Sequence, residues 1–373
     1  MLIAILAVVG TGQIYYWDST RTKVSYADGM DTRFGAPFPL NEIDEQTARG
    51  RYRSWRVERI GEQVRSVRRV NHRLNTVSVA SDVGWRLYWG TCGTKQPCIV
   101  GADVEYDPET SRVSAWRLID RVGATAVSRE YNWNDQGYRI RQANPDGRPR
   151  RRAPRLWWLD IGYAYVLSCE MDAASGRCTS LTAFDAAGKQ QIDDKSQFLL
   201  DPSGTRRVQR QIDGSVAVSE NSPPIQDFAW STTDDGGFLF TNHAFDHREQ
   251  PIDREGCLVT KQTFGPGYVE LRCDPGTPPK FIGLRGPPWS TDSEPWVNGC
   301  HRWRIDLVSP NRARRTCYGA DDEPTEDNGG VAVMDMVLDD RGYPVEIHYL
   351  DKSGEPAPRE GGLAVWRTDR DAF

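Results

Sequence analysis

Eight cysteines carry the clearest chemistry in this 373-residue chain. In order they fall as Cys92 and Cys98, Cys169 and Cys178, Cys257 and Cys273, and Cys300 and Cys317, with internal separations of 6, 9, 16 and 17 residues. None belongs to a C-x-x-C pair, and zinc-type spacing of Cys and His is absent, which argues against a structural metal. Three couples straddle a turn almost symmetrically, at Ala173–Ala174, Gly265 and Ser309–Pro310. Eight thiols allow 105 pairings. The order favours four local disulfides, each closing a short loop across adjacent strands and contributing roughly 2–4 kcal/mol. The alternative is eight buried thiols in a reducing compartment.

Other candidates are weaker. The histidines are His72, His243, His247, His301 and His348; His243 and His247 flank Asp246, the donor set of a two-His-one-carboxylate site. That set does not recur elsewhere, and a turn histidine is simply solvated. Asp321, Asp322, Glu323, Glu326 and Asp327 form an oxygen-rich loop of the kind that binds calcium, but their spacing departs from the EF-hand pattern. RPRRRAPR at 148–155 reads as a solvated loop, an anion contact or a proteolysis site. Trp85, Trp89, Trp157, Trp158, Trp289 and Trp296 would suit either a carbohydrate-stacking platform or packing between layers. There is no G-x-S-x-G or comparable nucleophile signature. No catalytic, cofactor-binding or metal-ligating residue is assigned.

The elements that would position these groups are β-strands. Segments 134–146, 172–185, 201–213, 234–246 and 339–351 align on one frame, with Asp or Asn shortly before a Gly and a second Asp nine residues after it. The pairs are Gly137–Asp146, Gly176–Asp185, Gly204–Asp213, Gly237–Asp246, Gly265–Asp274 and Gly342–Asp351. Ser19–Asp28 and Ser111–Asp120 fit with Ser in place of Gly. Ten of the 34 Asp residues have Gly nine positions earlier, where composition alone gives about three. Asp-x-x-Gly is turn chemistry: the carboxylate bonds the following backbone and Gly takes the positive φ. The intervening Val, Tyr, Phe, Leu, Thr and Arg suit a half-buried strand. One amphipathic helix is expected, over Asn41–Arg56. The spacing predicts hairpins in twos, in superunits of about 61–75 residues across 100–356.

This Asp-x-x-Gly rhythm, with Tyr106–Asp107, Phe184–Asp185 and Phe245–Asp246 at strand ends, resembles the tandem β-hairpin repeats of bacterial surface and secreted proteins, the YD (Rhs-type), WG and MORN-like classes. The resemblance spans about residues 15–356 and implies stacked hairpins, commonly extracytoplasmic, with no catalytic residues to transfer.

The expected fold is therefore all-β: a tandem β-hairpin repeat array, as an elongated stack or solenoid-like twisted sheet, with a β-propeller of about five blades as the alternative. Residues 1–12 read as a signal peptide or apolar N-terminal segment, although no Lys or Arg precedes them. Residues 13–99 read as diverged repeats, 100–356 as paired hairpins, and 357–373 as a tail or capping strand. A net charge of −5 gives no electrostatic case for nucleic acid, and no apolar run is long enough for a stable membrane span. Forty arginines against seven lysines reflect either codon bias or selection for the planar guanidinium. The expected function is that of a non-catalytic scaffold, secreted, on the cell surface or periplasmic, which takes a protein partner or self-associates through its edge strands. The alternative is a glycan-binding or glycan-hydrolysing propeller.

Overall fold

A computed structural model describes residues 21–77, 99–150, 165–190, 197–201, 203, 205–210, 213, 215–216, 224–252, 259–274, 299–342, 344–358 and 362–367. The chain opens with β1 (Thr22–Arg33), β2 (Ala36–Ile43), a short helix α1 (Glu45–Arg49), β3 (Arg53–Ile60) and β4 (Gln63–Asn71). Next come β5 (Ile99–Tyr106), β6 (Val113–Asp120), β7 (Thr125–Asn134), β8 (Gly137–Ala143), β9 (Val166–Met171) and β10 (Cys178–Phe184). These are followed by β11 (Gln197–Leu200), β12 (Arg206–Arg210), β13 (Ile225–Thr232), β14 (Phe238–Phe245), β15 (Val259–Gly265) and β16 (Tyr268–Asp274). The last are β17 (Arg302–Ser309), β18 (Arg312–Tyr318), β19 (Val333–Leu338), β20 (Pro344–Leu350) and β21 (Val365–Arg367).

The architecture is an all-β tandem hairpin array. All 21 strands join one antiparallel sheet. β1 pairs with both β2 and β3, and from β3 onward each strand pairs with the next. The series continues unbroken to β21. Separate blades are not present among the described residues, so the five-bladed propeller is set aside. Neither do the hairpins group in twos, because the bonds between hairpins continue the same ladder. The sheet runs on through residue 99 and past residue 356.

Two turn chemistries alternate along the edges. On one edge, Asp107 and Asp172 accept the amides of Thr110 and Ser175 at 2.7 Å, and the chain reverses through Ser111 (φ 55°) and Gly176 (φ 68°). On the other, Asp120, Asp185, Asp246 and Asp351 share one geometry. Each carboxylate oxygen accepts the amides two and four residues on, at 2.8–3.0 Å. The chain then folds back, and residues six apart form a bridge: Phe184 with Gln190, Phe245 with Pro251, Leu350 with Pro356. The Gly–Asp frame joins one turn of each kind through a single strand at Gly176–Asp185, while the Gly342–Asp351 strand runs between two turns of the second kind, opened by Asp339 and Asp351. Gly137–Asp146 fits less well, since Asn144 opens that loop.

The strands alternate in burial. One face holds the cores, such as Trp303, Ile305, Ala313, Met336 and Ile347 in the C-terminal half, and Trp55, Val57, Val67, Trp116 and Leu118 in the N-terminal half. The opposite face is a ladder of arginines and carboxylates. Arg302 meets Glu270 at 2.9 Å and Arg304 meets Asp306 at 2.8 Å, while Arg117 contacts both Glu105 and Glu130. Guanidinium groups also lie over rings: Arg302 on Tyr318 at 3.8 Å, Arg304 on Tyr268 at 4.1 Å, and the buried Arg315 on Trp303 at 3.4 Å. These are uses that a lysine ammonium would serve poorly.

The helix expected over Asn41–Arg56 shrinks to α1. Asp44 caps its first turn through the Thr47 amide at 2.7 Å, and Gly50 ends it. Beyond that point Trp55 and Val57 point into the core with the alternation of a strand, which overrides the helical spacing.

The sheet's N-terminal edge is also unlike the pairing edge expected for self-association. Phe34 (φ 50°) and Gly35 (φ 69°) form a two-residue reversal with both φ positive, so Arg33 and Ala36 face each other as a hydrogen-bonded pair. Alternation along the ladder then directs positions 37 and 39 of β2 outward, and both are proline. The β2 edge thus lacks the donors at positions 37 and 39 that an incoming strand would need. Replacing Pro37 and Pro39 together by Thr should create concentration-dependent association, read by sedimentation velocity. An unchanged monomer–oligomer balance would show that the prolines do not guard this edge.

Candidate functional site

The described side chains with unusual burial and charge gather where the first four strands lie across the hairpin turns of the rest of the sheet. Phe34 donates its amide to the Gly176 carbonyl at 2.6 Å in the β9–β10 turn. A Cβ on Gly176 would stand 2.4 Å from the Phe34 ring, so glycine is required there by contact as well as by its φ. Arg177 holds the buried Asp31 through Nε and Nη2, at 2.9 and 2.8 Å, and reaches the Ser203 carbonyl in the β11–β12 turn.

Asp28 and Arg51 form the centre of this seam. Arg51 Nε and Nη2 meet the two carboxylate oxygens at 3.0 and 3.3 Å, and Asn41 donates to the same carboxylate at 2.7 Å. The side chains are 0% and 2% exposed, so this is a fully desolvated pair. Arg51 Nη2 also donates to the Gly236 carbonyl at 2.6 Å in the β13–β14 turn. Beside it, the Gly267 amide of the β15–β16 turn donates to the Gly50 carbonyl at 2.5 Å. Burial pushes the Asp28 carboxyl above the usual carboxylate range, and Arg51 and Asn41 offset only part of that.

The loop after β4 grips the last two turns. Asn71 and Asn75 donate to the Arg341 carbonyl at 2.5 and 3.2 Å. Arg73 places Nε and Nη2 on the Pro310 carbonyl at 3.3 and 3.1 Å, and Nη1 on the Asp340 carbonyl at 3.1 Å. His72 reaches Pro310 through Nε2 at 3.0 Å. The N-terminal block thus touches five turns along one edge, β9–β10, β13–β14, β15–β16, β17–β18 and β19–β20, and Arg177 of the first of these reaches on to the β11–β12 turn. The donors point at backbone carbonyls and the carboxylates are covered by guanidinium groups. Such an arrangement fastens one part of a sheet to another.

Cys169 and Cys178 form a disulfide across the β9–β10 hairpin, and Cys300 and Cys317 form one across β17–β18, with Cα separations of 5.6 and 5.5 Å. Cys273 is also disulfide-bonded. Cys92, Cys98 and Cys257 lie outside the described residues, as do Trp85, Trp89, Trp157, Trp158, Trp289, Trp296 and residues 1–12. His243 and His247 are both exposed, and Asp246 is engaged with the Arg248 and Gln250 amides. In the acidic loop, Asp321 accepts the Glu323 amide, Asp327 accepts those of Gly329 and Val331, and Asp322 pairs with Arg302 at 3.3 Å. Among the described residues no group of three or more His, Cys, Asp or Glu side chains converges as metal ligands do. Arg148 pairs with Asp146 at 3.5 Å and Arg150 donates to Asn144 at 2.9 Å, both within their own loop.

Sequence reasoning missed the seam. Asp28 had a place in the Ser19–Asp28 turn frame, yet it lies inside β1 and is buried. Its partner Arg51 is 23 residues away, and the carbonyl that Arg51 reaches is 185 residues from it. A stretch of one strand, SYADGMD, does carry a signal in Asp28 and Asp31, two acidic residues amid a buried run.

Removing Arg51 should leave an uncompensated buried carboxylate. Arg51→Met is expected to cost about 3–5 kcal/mol in chemical denaturation, and Asp28→Asn in the same chain should recover most of it. If the double variant is as unstable as the single one, the pair is not a coupled unit.

The turn carboxylates give a pH signature of opposite sign. Amides hold Asp107, Asp172 and Asp246 below the usual range, and the hydroxyls of Ser215 and Ser353 do the same first of all for Asp213 and Asp351. Groups depressed in the folded state contribute stability that is present above about pH 4 and lost as pH falls through their folded values. Asp28, whose value is raised, works the other way, its contribution falling as pH rises through its folded value. Asp246→Asn with Asp351→Asn should therefore flatten the acid limb of the stability curve, measured by denaturant midpoints between about pH 2 and 5. An unaltered slope would place the acid sensitivity elsewhere.

No family model matches the chain, and no curated protein matches it.

Proposed function

We propose that this protein is a non-catalytic extracytoplasmic scaffold whose polar outer face receives a protein partner. The observation that carries the reading is how its reactive side chains are used. The turn aspartates are hydrogen-bonded to their own loops, the buried carboxylates are tied to arginines of the seam, and four of the cysteines cross-link hairpins. What remains is a long sheet with one face covered and the other carrying Arg302, Arg304, Tyr268, Tyr318 and their carboxylate partners. Arg and Tyr are the residues that interfaces favour, and paired charges select a partner by complementarity more than by affinity.

An oxidising compartment supports the same reading. Disulfides across hairpins persist outside the cytosol and are rare within it. The loop closed by each of the two bridges corresponds to about 3 kcal/mol of denatured-state entropy. Protein taken from its producing cells under thiol-blocking conditions should yield Cys169–Cys178 and Cys300–Cys317 as linked peptides, together with Cys92–Cys98 and Cys257–Cys273. Alkylated free thiols at those positions would overturn the extracytoplasmic assignment.

A further inference from the structure

We propose that His72 is a proton-sensitive latch: uptake of a second proton by its imidazole releases the Asn71–Asn75 loop from the β17–β18 and β19–β20 turns and opens that end of the seam. This goes beyond the scaffold reading and does not depend on it.

The ring is 6% exposed and wedged between two turns. Its Nε2 lies 3.0 Å from the Pro310 carbonyl, and a Cβ on Gly342 would stand 3.1 Å from its Cε1. A carbonyl only accepts, so Nε2 carries the hydrogen and the neutral ring's lone pair sits on Nδ1. Nδ1 is buried and has no hydrogen-bond partner among the described residues. A proton arriving there creates a buried cation whose new N–H has no acceptor in place, which is a costly state.

The surrounding charges do not relieve it. On its own loop stand Asn71, Asn75 and the Arg73 cation, which shares the Pro310 carbonyl with the ring. The β17–β18 turn presents the Pro310 carbonyl, neutral Asn311 and Arg312, whose guanidinium is held by Asp335. The β19–β20 turn presents Asp339, Asp340 and Arg341; Asp339 accepts the Arg341 amide, and Asp340 offers its backbone carbonyl to Arg73. No hydrogen bond joins any of these carboxylates to the ring among the described residues.

Burial pulls the His72 pKa below its usual range, the Pro310 hydrogen bond offsets part of this, and Arg73 adds to the fall. Because the folded state holds its proton more weakly than the unfolded chain, the latch is fully closed above about pH 6.5 and weakens as pH falls towards the folded value. The limit is about tenfold in its equilibrium per pH unit.

Hydrogen exchange of the full chain tests this, corrected for intrinsic rates, at about pH 5 and about pH 7.5. Peptides covering 69–77, 308–313 and 338–342 should lose protection at the lower pH by about threefold or more relative to the β5–β6 hairpin. In His72→Gln, whose amide still donates to Pro310 but takes no proton, that difference should vanish. Equal pH responses in the two proteins, or none confined to these peptides, would overturn the latch. Should the variant fail to fold, Cε1–H exchange of His72 in the unaltered protein decides: a titration midpoint below about 6.5 supports the proposal and one at or above it refutes it.

Discussion

Side-chain donors of the first four strands, set on the backbone carbonyls of the hairpin turns, are the interaction on which this architecture depends. An antiparallel meander satisfies its amides and carbonyls along every strand, but it leaves a row of turns at each edge and a free strand at each end. Here Arg51, Asn71, His72 and Arg73 address carbonyls of turns on one edge, and Arg177 of the β9–β10 turn addresses the next. Carbonyls that would otherwise face solvent in sequence are bound to one block, and the sheet is thereby curled onto itself. β2, which pairs with β1 alone, carries a proline at each of two positions whose backbone faces away from its partner.

Arginine suits this role in a way that lysine would not. A guanidinium can span two acceptors, as Arg51 does between Asp28 and Gly236, and Arg73 does between the carbonyls of Pro310 and Asp340. Its flat face stacks on rings, which lets Arg315 and Arg69 sit beside Trp303 and Trp55 within the sheet's buried face. The excess of Arg over Lys is compatible with codon bias as its origin, yet its placement is structural. Buried pairs such as Asp28–Arg51 bring little net stability, because desolvation consumes most of the Coulomb attraction. The Asp31–Arg177 pair, by contrast, joins β1 to the β9–β10 turn and so ties the alignment of the strand with the turn row to the neutralisation of a buried carboxylate.

The sequence made the local part of this structure readable and concealed the distant part. Asp185, Asp246 and Asp351 could be assigned to turns because an Asx turn is a contract among five neighbouring residues, written wholly in the local sequence. Two of the cysteine couples, Cys169–Cys178 and Cys300–Cys317, were readable for the same reason, since a hairpin brings nearby positions together. The helical spacing over Asn41–Arg56 misled because core alternation in β3 outweighed it. Arg51 and His72 gave no comparable signal, because turn carbonyls 185 and 238 residues away leave no spacing to detect.

Those long separations also change what kind of object the array is. In a plain repeat stack each hairpin contacts only its neighbours, so stability is a sum of local terms and unfolding can begin anywhere. The seam breaks that rule. The β9–β10, β13–β14, β15–β16, β17–β18 and β19–β20 turns share one partner, the β1–β4 block, so loosening any of them weakens the anchorage of the others. Closing that contact costs loop entropy only once, and the cost grows slowly with the length enclosed. Five turns share the gain. A one-dimensional array thus acquires a two-dimensional constraint, and the point at which its last two turns are held, the buried imidazole of His72, becomes the place where a small chemical change reaches furthest along the chain.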